Sequence, residues 1–174
     1  GVTVLQCVPT FWAALVRTQL LSECSSLRLM CSGGEALTSH LAGELLSSLP
    51  EARLINLYGP TEVTINATWF EVQKGELPRW DVVPIGVPVD GCTALVLDER
   101  ARECIPGQVG ELYLGGRQLS PGYLNLPGHT KERFPTHVVD GEAQRLYRTG
   151  DLVIRNEEGV LEFRGRVDDQ VKIN

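Results

Sequence analysis

Five consecutive residues, Tyr58-Gly59-Pro60-Thr61-Glu62, follow the strand-like run Ile55-Asn56-Leu57. They set an aromatic face, a rigid turn, a hydroxyl and a carboxylate in one short connection. Each type has a task at a nucleotide: Tyr58 offers a flat face for a base, Thr61 a hydroxyl for a phosphate oxygen, Glu62 a hard oxygen ligand for Mg2+. Gly59-Pro60 fixes a turn that lets backbone approach a ligand closely. The same five residues also read as a tight βα turn with exposed polar groups, and on motif chemistry alone both readings stand. A second position is Asp151, which follows a Thr-Gly turn inside the otherwise apolar strand of Tyr147 to Leu152. A lone carboxylate there is costly unless paired. Vicinal ribose hydroxyls suit it, because a carboxylate accepts two hydrogen bonds; a salt bridge to Arg148 or Arg166 suits it equally. Third, Gly165 to Ile173 gathers a guanidinium, two acids and a lysine around a short exposed connection.

These residues need elements to carry them. Val2 to Val8 is an apolar run of buried-strand length. Pro9-Thr10 then starts a helix, with Phe11/Leu15 and Trp12/Val16/Leu20 at four-residue spacing. Leu27 to Ser32 is a second short apolar run ending at Gly33-Gly34. A second helix is expected from Thr38, with Leu37/Leu41/Leu45 and Ala42/Leu46/Leu49 facing inward and Pro50 stopping it. Leu54 to Leu57 is a third strand. Strand, helix, strand, helix, strand with short connections predicts a parallel sheet covered by helices. Ligands of such sheets bind beyond the carboxyl ends of the strands, where Gly33 to Ala36 and Tyr58 to Glu62 both fall.

Residues 81 to 167 read differently. Little helical period remains, and β-branched runs are bounded by turn residues: CTALVLDE, GELYLGG, LYRTGDLVIR and GVLEFRGR. Asn156 to Gly159 is a hairpin turn candidate and Pro127 to Phe134 a short helix. The expected fold class is α/β: part of a parallel, helix-covered sheet followed by an antiparallel, β-rich, barrel-like subdomain, truncated at both ends. The expected divisions are 1–80 for the sheet portion, 81–167 for the β-rich portion and 168–174 for a hinge and the start of a further subdomain.

Composition narrows the function. The 174 residues are 43% hydrophobic and 22% charged, enough for one sizeable core. A net charge of -6 favours neither nucleic acid nor an anionic membrane surface. Cys7, Cys24, Cys31, Cys92 and Cys104 form no Cys-x-x-Cys pair, so reduced thiols in a cytoplasmic protein are expected. No run reaches the ~18 apolar residues of a membrane span. His40, His129 and His137 lack metal-ligand spacing. The CSGGE segment is not a Gly-x-Ser-x-Gly nucleophile elbow, and Cys31 is expected to be a small wall residue.

Four ordered segments together resemble one family, the adenylation domains of nonribosomal peptide synthetases, within the adenylate-forming superfamily of acyl-CoA synthetases and firefly luciferase. Asn56 to Glu62 match the family's Asn-x-Tyr-Gly-Pro-Thr-Glu motif completely. GELYLGGRQLSPGYL, YRTGDL and GRVDDQVK match three others. Pro60 and Asp168-x-Gln170 favour the peptide-synthetase branch. QLSPGYL departs from the usual Val-Ala-Arg-Gly-Tyr, and Asn174 stands where Arg is common.

The resemblance implies roles residue by residue. Tyr58 would stack on adenine, with Gly34, Glu35 and Ala36 lining the other side and Phe163 adding an aromatic edge. Asn56 and Gly59 count among the ATP-binding positions. Thr61 would touch the α-phosphate, Glu62 would hold Mg2+, Asp151 would bind the ribose hydroxyls and Arg166 would contact ribose or phosphate; Glu62, Thr61 and Arg166 are the catalytic candidates. Asp168 would be the hinge of the small carboxy-terminal domain. The implied reaction joins an amino acid to ATP, giving aminoacyl adenylate and pyrophosphate, then transfers the aminoacyl group to the phosphopantetheine thiol of a carrier protein. Carrier-protein and condensation domains would be the partners. The family's phosphate loop would lie upstream of residue 1 and its catalytic lysine downstream of residue 174, so Lys172 is not that lysine and this chain alone is expected to be inactive. A catalytically silent nucleotide-binding or interaction module, or an acyl-CoA ligase relative, is the alternative.

Side-chain selectivity in the family is read at positions that align with Gln6, Cys31, Gly33, Leu57, Ile65 and Asn66. Gln6 and Asn66 bring amides to an otherwise small, apolar wall. Facing a purely aliphatic side chain, unpaired amides would cost roughly 1–3 kcal/mol each. A substrate side chain that can hydrogen-bond is therefore expected, glutamine first, with Gly33 leaving room for medium length. Gln6 or Asn66 bonding backbone is the competing reading.

Overall fold

The computed structural model describes residues 1–139 and 141–167. The described chain folds as two compact units: residues 1–58 with 69–86, and residues 59–68 with 87–139 and 141–167.

The first unit begins with β1 (Val4–Cys7), α1 (Pro9–Thr18), β2 (Leu29–Gly33), α2 (Ser39–Ser48) and β3 (Arg53–Tyr58). β1 pairs with β2 and β2 with β3, both in parallel, as the alternating strands and helices predicted. β4 (Thr68–Glu71) adds beyond β3. α1 starts at Pro9, whose fixed φ suits a first helical position. It ends at Gln19, whose φ of 60° breaks the helical repeat. α2 is capped by Thr38, whose hydroxyl accepts from Leu41 N at 3.2 Å. Leu37, Leu41, Ala42, Leu45, Leu46 and Leu49 are buried as expected, in one core with Trp12, Met30 and Leu54. Phe11 and Leu20, which keep the four-residue helical spacing, are 52% and 59% exposed. Trp12 takes the buried position of α1, where its indole Nε1 donates to Cys31 O at 3.2 Å.

The second unit carries β5 (Val87–Pro88), β6 (Cys92–Leu97), β7 (Val109–Gly116), α3 (Pro127–Arg133), β8 (Thr136–Val139), β9 (Glu142–Arg155) and β10 (Leu161–Arg166). It is a curled antiparallel half-barrel in the order β10–β9–β7–β6, with β8 also antiparallel to β9. The expected turn at Asn156 to Gly159 joins β9 to β10, and Asn156 Oδ1 accepts from the Glu158 and Val160 amides. Residues 59–68 group with this unit and 81–86 with the first. β4 returns to the first sheet after the 59–67 excursion, a path that hydrophobic period alone does not reveal. Among the described residues no helix is long and apolar enough to cross a membrane.

Candidate functional site

In the first unit the sheet register sorts the predicted residues by face. Gln6 lies beside Cys31, Cys31 beside Ile55, and Gly33 beside Leu57. Side chains alternate along strands, so these five share one face. Met30, Ser32, Leu54 and Asn56 take the other face, where Met30 and Leu54 join the helix-covered core. Four of the six expected wall positions are thus brought together, and Ile55, which sequence reasoning passed over, stands among them. Burial pushes the Cys31 thiol pKa up, which makes it a wall group and a poor nucleophile. Gly33 is fixed by its neighbour: a Cβ there would lie 2.9 Å from Leu57 O.

Asn56 lies on the opposite face from that wall. It is buried on the core face, and its Nδ2 donates to Pro84 O at 2.8 Å and to Val83 O at 3.3 Å. Its amide braces β3 against the 83–84 segment, and does not face the wall. Glu35 also has a structural partner: its carboxylate accepts from Thr10 N at 3.0 Å and from Thr10 Oγ1 at 2.9 Å. It thereby caps the first turn of α1, which lacks a capping side chain of its own. Tyr58 ends β3 and Gly34 follows β2 at the same, carboxyl end of the sheet, with Gly34 at φ 86°.

In the second unit Thr61 and Glu62 lie on a single 3-10 turn, Thr61–Val63. The next two residues are strained: Thr64 and Ile65 have φ of 50° and 72°, a region β-branched side chains rarely enter. Gly59 permits the tight fold, since a Cβ there would lie 2.4 Å from Ile65 O. The segment 118–123 holds this loop. Thr64 Oγ1 donates to Gln118 O at 2.7 Å, Gln118 Nε2 to Asn66 O at 3.2 Å, and Ser120 N to Glu62 O at 2.8 Å. Tyr123 Oη donates to Glu62 Oε1 at 2.6 Å. Burial, and then this carboxylate, push the Tyr123 phenol pKa up. Burial raises Tyr147 further, with hydrogen bonding to Tyr123 and the Glu62 charge adding to it. Both phenols therefore stay protonated as donors.

Asp151 lies at a double irregularity. The β7–β9 register shifts between Glu111 and Tyr113, and the β9–β10 register between Phe163 and Gly165. Such bulges re-aim side chains. Asp151 Oδ1 accepts from Arg166 Nη1 at 2.7 Å, which selects the salt bridge to Arg166 from the two considered. Arg148 pairs with Glu111 instead, at 2.9 Å, and Glu111 Oε1 also accepts from Gly150 N at 3.1 Å. Thr149 Oγ1 donates to Leu112 O at 2.7 Å and accepts from Asp151 N at 3.0 Å. Gly150 has φ 77°, and a Cβ there would lie 2.9 Å from Arg166 Nη2. Phe163 stands on β10 beside Val153. Asp168 lies outside the described residues.

A family model described as AMP-binding enzyme matches residues 1–124. The chain belongs to the AMP-binding enzyme family. Its relatives include indigoidine synthase of Dickeya dadantii strain 3937, 46% identical over 178 residues, covering 99% of this chain and 12% of that protein. Among solved structures it resembles holo-PA1221, an NRPS protein containing adenylation and PCP domains bound to a vinylsulfonamide inhibitor. That match has 33% identity and a TM-score of 0.93, covering 99% of this chain and 30% of the other. The Vibrio cholerae adenylation domain AlmE, in complex with glycyl-adenosine-5'-phosphate, matches at 36% identity with a TM-score of 0.87, covering 99% and 32%. This AMP-binding enzyme chain therefore spans about an eighth of the length of the curated relative and a third of the solved ones.

Glu111, Gln118, Tyr123 and Tyr147 are the residues that sequence reasoning missed. All four lie inside the quoted motifs, GELYLGGRQLSPGYL and YRTGDL. A phenol among turn residues, two positions from Ser120-Pro121, was the available signal.

Proposed function

We propose that this chain is part of an amino-acid-activating adenylation domain. The parent protein would join an amino acid to ATP, releasing pyrophosphate, and pass the aminoacyl group to the phosphopantetheine thiol of a carrier domain. Condensation domains would be further partners and the cytoplasm the setting. The observation that carries this reading is the shared face of Gln6, Cys31, Gly33, Ile55 and Leu57, ending at Gly34 and Tyr58. It gives a side-chain wall and a stacking aromatic at the carboxyl ends of adjacent parallel strands.

Tyr58 offers its ring face to adenine, with the backbone of Gly34, Glu35 and Ala36 opposite. Asp151, paired with Arg166, would offer its carboxylate to the ribose hydroxyls, since a carboxylate accepts several hydrogen bonds. Thr61 presents a hydroxyl to the α-phosphate, and Phe163 an aromatic edge. Glu62 fits Mg2+ by chemistry: a carboxylate with one oxygen bound by a phenol retains lone pairs for a hard cation. No group of three or more His, Cys, Asp or Glu is placed to hold a metal among the described residues. Mg2+ is commonly bound by one or two carboxylates plus substrate phosphates, so Glu62 would be its protein ligand. When bound it supplies neutralisation of phosphate charge. Asp168 would serve as the hinge.

The wall points to the substrate. Gln6 lies on the sheet face, and Asn66 aligns with another of the family's selectivity positions; each would offer its amide to a substrate side chain that can hydrogen-bond. Glutamine is the preferred side chain, with glutamate or another polar residue next. Amino-acid-dependent ATP–pyrophosphate exchange by the intact adenylation domain, run with all twenty amino acids, tests this. Strongest exchange with glutamine supports the wall; a clear preference for Leu, Val or Phe contradicts it.

A further inference from the structure

The Glu62 side chain stands on a one-turn 3-10 segment, where a glutamate left to itself would sample several rotamers. It is not left to itself. Tyr123 Oη donates to its Oε1, and Ser120, three residues earlier on the same segment, donates its backbone N–H to Glu62 O.

The Tyr123 side of this contact is built rigidly. Tyr123 N donates to Thr130 Oγ1 at 2.9 Å. Gly122 has φ 136°, and a Cβ there would come within 2.3 Å of Thr130 Cγ2, so the chain passes α3 at a distance only glycine allows. The phenol ring packs on His129, centroids 4.7 Å apart, and edge-on to Phe134 at 5.7 Å. Arg145 ties the segment from behind, donating to Ser120 O and Pro121 O at 2.8 Å each while its guanidinium lies 4.4 Å over Phe134. A donor held by so many contacts sets the geometry of whatever it binds.

We propose that Tyr123 is a positioning residue for the divalent cation: its phenol fixes the Glu62 carboxylate in one orientation, leaving the remaining oxygen lone pairs for the metal. This rests on the reading of Glu62 as an Mg2+ ligand. Groups that orient a metal's ligands commonly contribute about 10–100-fold to affinity. Segment 118–123 then has a chemical role besides bracing the strained Thr64-Ile65 turn.

The test uses the intact adenylation domain carrying the α,β-methylene analogue of ATP, with Mn2+ as the metal probe. Binding is read by water-proton relaxation. Tyr123→Phe keeps the ring and its packing but removes the donor, and is expected to weaken Mn2+ binding about 10-fold. Glu62→Gln weakens it too, and adding Tyr123→Phe to that variant produces no further loss. An equal loss from Tyr123→Phe in both backgrounds indicates a merely structural residue and overturns the proposal. Wild-type Mn2+ binding by Tyr123→Phe, with Glu62→Gln still impaired, overturns the positioning role and leaves the metal reading intact. Unaltered binding by Glu62→Gln overturns both.

Discussion

Arg166 Nη1 lies 2.7 Å from Asp151 Oδ1, and both side chains are largely buried. The pair closes two sheet irregularities at once, joining the end of β10 to the Thr149-Gly150 turn of β9. Breaking one partner of a buried pair leaves an uncompensated charge. Asp151→Ala in the intact domain is therefore expected to lower unfolding stability by about 3 kcal/mol or more. It should also weaken ATP binding by about 1–3 kcal/mol through lost hydrogen bonds. Urea unfolding and equilibrium ATP binding check the two effects separately; unchanged ATP affinity would remove Asp151 from the nucleotide site.

Asn56→Ala strips the amide that bonds Val83 O and Pro84 O. Two buried carbonyls lose a donor, so a loss of about 1–3 kcal/mol is expected. The denaturation midpoint reads it. Michaelis constants for ATP and amino acid should stay near wild type, because the side chain faces the core.

Gly59→Ala places a methyl 2.4 Å from Ile65 O and 2.6 Å from Ala67 N. The loop bearing Thr61 and Glu62 must shift. Exchange activity is expected to fall by more than tenfold, since misplacement by about 1 Å costs that much or more. A variant with full activity would show that the loop tolerates the shift.

The phenols give a pH dependence. Tyr123 and Tyr147 have raised pKa values in the folded state, first through burial. A raised acid pKa means the folded form holds its proton longer than the unfolded chain. Their stabilisation is present below the unfolded tyrosine value of about 10 and is lost as pH rises above it. Ultraviolet titration of the intact domain should show late-ionising phenolate absorbance that shrinks in Tyr123→Phe and Tyr147→Phe. Ordinary titration of both would contradict their burial.

Much of this was legible in the sequence. The α2 stripe from Leu37 to Leu49 and the hairpin at Asn156 to Gly159 follow from period and turn chemistry. The four motifs placed the nucleotide candidates. Pairings across distant segments were not legible. Sequence left Asp151 with Arg148 or Arg166 because both lie within reach along the chain, and only the bulges opposite Leu112 and near Gly165 decide between them. Asn56 counts among the ATP-binding positions because it opens the Asn-x-Tyr-Gly-Pro-Thr-Glu motif; strand alternation turns its side chain to the core. Helical spacing sets out both the Phe11/Leu15 and the Trp12/Val16 stripes but cannot say which of the two a sheet will cover; Trp12 is buried and Phe11 exposed. Tyr123 was passed over because its partner Glu62 lies 61 residues away.

The central claim is that Glu62 serves adenylate formation, and pyrophosphate exchange by the intact domain tests it most directly. With the preferred amino acid, the account predicts that Glu62→Gln loses at least about tenfold in exchange rate, since a neutral amide is a poorer Mg2+ ligand than a carboxylate. Exchange by Glu62→Gln at the wild-type rate would contradict it.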